Sequence, residues 1–83
     1  MKKEYSISTV QEHPLFQNNE VQTAFVDFLN MRKKIKKPAT DRAQALLMLK
    51  LVGLCNEDTA LAVSVLDQSI LYCWQDIYPL KSN

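Results

Sequence analysis

Residues 31–43, "MRKKIKKPATDRA", place Arg32, Lys33, Lys34, Lys36 and Lys37 within six positions, stop at Pro38, and add Arg42 shortly after. Side chains of this type, crowded like this, do anion chemistry. The run closes one expected helix and Thr40 opens another, so the lysines and the free N–H groups of a helix start fall in the same region. Three uses compete for the run. Lysines in the last turn of a helix complement the negative end of its dipole and need no partner at all. The same surface could meet the phosphates of a nucleic acid, or an acidic protein.

A second group is aromatic. Tyr72, Trp74 and Tyr78 lie close together near the end of the chain, and exposed rings of this kind stack on the bases of single-stranded nucleic acid or make a partner contact. Trp74 stands four residues after Ile70, which also gives it a packing role on the apolar side of a helix.

Other chemistry finds little support. There is no glycine-rich phosphate loop, no HExxH and no nucleophile elbow, and the single histidine, His13, precedes Pro14 in what reads as a solvated loop. Glu57 and Asp58 are adjacent acids in a turn before a helix, where carboxylates serve the dipole. Cys55 and Cys73 form no CxxC pair and have one histidine between them and a metal site, so zinc lacks its ligands. They read as two buried reduced thiols, with a disulfide as the alternative. No catalytic residue, metal or cofactor is expected.

Composition fits this picture. A chain of 83 residues, 47% hydrophobic and 23% charged, suits one thin-cored globular domain. Net charge is only +1, yet six of the ten basic residues lie between Arg32 and Arg42 while the nine acids are spread out. Any electrostatic role is therefore local. No stretch approaches the ~20 apolar residues of a membrane span, and "MKKEYSISTV" lacks the apolar core of a signal peptide, so the expected location is cytoplasmic.

The elements that must position these groups are helical, because apolar residues recur at three and four and only one glycine, Gly53, is present. The first helix is expected from Glu20 to Lys36, with Asn19 as N-cap, Gln22 closing a capping box, and Val21, Ala24, Phe25, Phe28, Leu29 and Ile35 facing inward. Pro38 then disfavours continued helix. The second follows Thr40 and runs through "RAQALLMLKLVGL", apolar almost all round, as a central helix ending near Gly53. Asn56 or Asp58 caps the third, expected over Thr59 to Asp76, with Ala62, Leu66, Ile70, Cys73, Trp74 and Ile77 on one face, before Pro79 stops it. The fold class is all-α, a small bundle of three main helices (17–83) behind a short N-terminal arm (1–16) that lays Leu15 and Phe16 on it.

The segments "AFVDFLNMRKKIKKPATDRAQALLMLKL" and "VSVLDQSILYCWQDIYPLK" resemble a helical segment found at the C-terminal end of replication proteins of phages and other mobile elements, related to DnaD-like replisome organisers and helicase loaders. The resemblance spans roughly residues 13–82. It rests most on "MRKKIKKP", on "TDRA", and on "QSI" followed by tryptophan. DnaD-like domains carry a Tyr-xxx-Ile-xxx-Trp spacing implicated in DNA contact. Ile70 and Trp74 fill its last two places, and Leu66 stands where the tyrosine would be.

The resemblance implies a role in replication through DNA, a replicative helicase or loader, or self-association. The expected function is thus a non-enzymatic accessory module that contacts DNA phosphates through Arg32, Lys33, Lys34, Lys36, Lys37 and Arg42, with little sequence preference. The alternative is a protein-interaction module, a homodimer or a helicase-binding domain, using Val26, Met31, Met48, Leu71 and the "YPLK" tail.

Overall fold

The computed structural model describes residues 11–80. The first ten residues of the proposed arm, and the last three of the chain, lie outside that range. A 3-10 helix, Pro14–Gln17, precedes three α-helices: α1 (Asn19–Lys34), α2 (Asp41–Cys55) and α3 (Thr59–Tyr72). There is no strand among the described residues, so the expected all-α bundle is present. None of these helices is long and apolar enough to cross a membrane.

Local chemistry sets each start. His13 is half-buried rather than free in a loop, and its Nδ1 accepts the Leu15 N–H at 3.1 Å. That turn drives Leu15 and Phe16 into the core, where they are 0% and 3% exposed. The N-cap of α1 is Asn18, one residue earlier than expected: its Oδ1 accepts the N–H groups of Glu20 (2.8 Å) and Val21 (3.1 Å). The expected capping box is replaced as well, because the Gln22 amide donates to the Phe16 carbonyl at 2.6 Å and so ties α1 to the turn before it. Thr40 and Asp58 cap α2 and α3 through the N–H groups of Ala43 and Leu61.

The helix ends depart further from expectation. α1 stops at Lys34, and Lys36 takes a positive φ of 63° while its N–H and that of Lys37 return to the carbonyls of Lys33 and Arg32. This is a Schellman closure without glycine. α2 runs past the exposed Gly53 to Cys55, and Asn56 turns the chain at φ 54°. α3 ends at Tyr72, four residues before the expected Asp76. Cys73 is left-handed (φ 57°), and the N–H groups of Cys73 and Trp74 bond back to Ile70 and Ser69. Cys73 is consequently exposed, which corrects its placement as a buried thiol, whereas Cys55 is buried.

α1 and α3 lie side by side and run parallel. Asn19 to Asp27 border Val63 and Asp67 along one half of their shared groove, and Met31 to Ile35 border Ile70 and Cys73 along the other. Theirs is the closest helix pairing, so α2 is not the enclosed centre its composition suggested. It buries Ala45, Leu47, Met48, Leu51 and Cys55 and leaves Leu46 exposed. Residues 74–80 fold back as a strap that carries Ile77, 0% exposed, into the core formed by Val21, Phe28, Leu51 and Leu66.

Candidate nucleic-acid interface

One end of the bundle gathers the C-terminus of α1, the N-terminus of α2, and the place where α3 gives way to the strap. Arg32 lines a depression with the first half of α2 and with Gln75 and Asp76, while Lys33 and Lys34 line another with Ile70 and Cys73. The basic run is therefore divided over two sides of α1. Arg32 is half-buried and its Nε donates to the Lys37 carbonyl at 2.8 Å, while the Lys37 N–H returns to the Arg32 carbonyl at 2.9 Å. The guanidinium also lies near enough to Asp76 to help lower its pKa. Arg32 thus closes the helix end and is the least available of the six.

Lys33, Lys34, Lys36, Lys37 and Arg42 are exposed. Among the described residues no carboxylate pairs with any of them; the ion pair present is Lys50 with Asp76 at 2.9 Å. The left-handed turn at Lys36 sends the chain away from the α1 axis, so the lysines spread around the helix end rather than stacking along one side.

The aromatic residues form a cluster on the strap. Trp74, half-buried, stacks on Tyr72 with centroids 5.2 Å apart and rings inclined by 25°, and meets Tyr78 edge-on at the same separation. Trp74 does not continue a stripe on α3, because the helix has already ended. Tyr72 and Tyr78 remain 56% and 45% exposed, so the cluster presents ring surface outward at the margin of the basic end.

Sequence reasoning overlooked Lys50. It is the one charge inside the apolar run of α2, and a lone cation there signals a partner elsewhere. Its ammonium bonds Asp76 and lies 5.1 Å from the Tyr78 ring centre. The Asp76 carboxyl is pushed up by partial burial but drawn down further by the Lys50 hydrogen bond, the Ile77 N–H and the charges of Lys50 and Arg32, and the net direction is below the ordinary carboxylate value. Ser69, fully buried, donates to the Asp76 carbonyl at 2.9 Å, and the Gln68 amide reaches the carbonyls of Tyr78 and Pro79. Of the residues named for a protein interface, Val26 and Leu71 are exposed at 53% and 74%. Met31 and Met48 are buried at 8% and 2%, because each points into the core from its helix. Among the described residues no group of histidine, cysteine, aspartate or glutamate side chains could hold a metal ion.

The described residues thus form a three-helix domain with a basic end and a folded-back aromatic strap. The chain belongs to the family of the YdaU C-terminal domain, whose model matches residues 18–83. The match opens on Asn18, the cap of α1, and so leaves out the 3-10 turn that places Leu15 and Phe16 in the core. No curated protein and no solved structure matches the chain.

Proposed function

We propose that this domain is a non-enzymatic accessory module of a phage-like replication protein, and that it holds DNA through phosphate contacts made by Lys33, Lys34, Lys36, Lys37 and Arg42. One observation carries the reading: five exposed cations with no carboxylate partner among the described residues surround the junction of α1 and α2. The resemblance of this region to DnaD-like replication proteins supports the same role. Arg32 serves this surface indirectly, by fixing the carbonyl of Lys37 and with it the path of the turn. Lysines spread around a helix end read charge rather than bases, so sequence preference is weak and affinity falls steeply with salt, with a logarithmic slope of about 0.9 per phosphate contact on duplex DNA.

The test is a fluorescence-anisotropy titration of labelled single-stranded and duplex DNA at low and at physiological salt, with the parent and with a Lys36→Glu, Lys37→Glu, Arg42→Glu variant. Salt-sensitive binding that the triple reversal removes is the expected result. Equal binding by parent and variant, or none at low salt, overturns the assignment.

A second reading is a protein-interaction module that binds a replicative helicase or loader without touching DNA. The exposure of Leu71 and Tyr72 near the end of α3 favours it. Pull-down of a purified helicase by the parent and by Leu71→Asp separates this reading from the first.

A further inference from the structure

The groove between α1 and α3 changes sign along its length. Its first half is bordered by Glu20, Asp27 and Asp67, and its second half by Lys33 and Lys34, with Asp27 at the boundary lining both. On α1 the residues Glu20, Asp27 and Lys34 recur at intervals of seven, which keeps them on one side of the helix, and Asp27 and Lys34 stand about 10 Å apart along its axis at 1.5 Å per residue. That separation is too great for them to satisfy each other within one copy, and no ion pair joins them. Apolar surface accompanies the charges: Val63 is half-buried on the acidic side, and Leu71, one turn after Asp67, is the most exposed large hydrophobic residue of the described chain at 74%.

A surface that is acidic in one half and basic in the other is complementary to itself when turned end for end. We propose that this face receives a second copy of the chain, related by a two-fold axis that passes near Asn30, so that α1 helices cross antiparallel. Asp27 and Asp67 of each copy then meet Lys33 and Lys34 of the other, and both charge contacts form twice, as an isologous interface requires. The Leu71 side chains leave water at the same time. This assembly engages Lys33 and Lys34, two of the five cations proposed to hold DNA, and leaves Lys36, Lys37 and Arg42, none of which borders the groove, open to phosphates.

The test exploits the symmetry. One variant carries Asp27→Lys and Asp67→Lys, another Lys33→Glu and Lys34→Glu, and both are measured beside the parent by sedimentation equilibrium at low and high salt. All four positions are exposed, so the helices keep their core, and circular dichroism checks this. The parent is expected to be a dimer at low salt that dissociates as salt rises. Each variant alone is expected to be a monomer at concentrations where the parent pairs, and an equimolar mixture of the two is expected to recover the mass of a dimer. A monomeric parent at low salt across the accessible concentration range overturns the proposal. So does a dimer that survives in either variant, or a mixture that stays monomeric. DNA binding by the Lys36, Lys37 and Arg42 variant is read separately and leaves these outcomes unchanged.

Discussion

Lys50 Nζ stands 2.9 Å from Asp76 Oδ2 and 5.1 Å from the centre of the Tyr78 ring, so one ammonium on α2 holds the strap on both sides of Ile77. The pair is about two-fifths exposed on each side, 41% and 43%, and water screens it to no more than about 1 kcal/mol. Because the folded state lowers the Asp76 pKa from its ordinary 3.8, the contribution is present above that value and is lost as pH falls through the lower folded one. Asp76→Asn should therefore weaken the domain slightly at neutral pH, and the difference from the parent should shrink in strongly acidic solution. Urea midpoints of both proteins at neutral pH and near pH ~3 and below measure this; a gap that widened on acidification would contradict the assignment.

Ile77 is a core residue delivered by a segment without regular structure. Ile77→Ala should cost about 2–5 kcal/mol, the ordinary penalty for emptying a fully buried aliphatic site. Loss of less than about 1 kcal/mol in chemical unfolding would mean that the strap is only loosely seated.

Lys36 holds a backbone conformation that costs a residue with a Cβ roughly 1–2 kcal/mol and costs glycine little. Lys36→Gly should raise stability by about 0.5–1 kcal/mol, a gain of several degrees in melting temperature for a domain of this size. A drop in melting temperature would show that the lysine stem packs against the helix end.

The two thiols should separate cleanly by reactivity. Cys55 is buried, and its thiol is pushed up first by that burial and then by the nearby Asp58 carboxylate, whereas Cys73 is exposed at the end of α3. A disulfide-exchange reagent should titrate one thiol in the native protein and two after unfolding, and Cys73→Ser should remove the fast phase.

Much of this fold can be read in the sequence, and the exceptions share a cause. Spacing of apolar residues locates all three helices, and Thr40 and Asp58 announce two of the starts. The ends are harder, because Lys36, Asn56 and Cys73 turn the chain with positive φ and none is the glycine that such turns favour. Once α3 stops at Tyr72, the four-residue spacing of Ile70 and Trp74 ceases to mean a shared helix face. Ile77 is buried as its apolar spacing predicts, but it reaches the core from the strap and not from a helix. The basic run is plain in the sequence, but its division over two sides of α1 depends on Arg32 being turned toward Lys37 and Asp76, which no linear spacing reveals. Lys50 shows the reverse: a charge stranded in an apolar helix is legible, and its partner, Asp76, is distant in sequence.

The late position of Ile77 bears on how the domain comes to be made. A nascent chain that has emerged from the ribosome only as far as Tyr72 already carries the sequence of all the helices described, yet it still lacks the Ile77 side chain that completes their core. Until residues 74–80 are clear of the exit tunnel, the partly built domain exposes the hollow meant for Ile77. The core is therefore completed by the strap that delivers Ile77 rather than by the last helix.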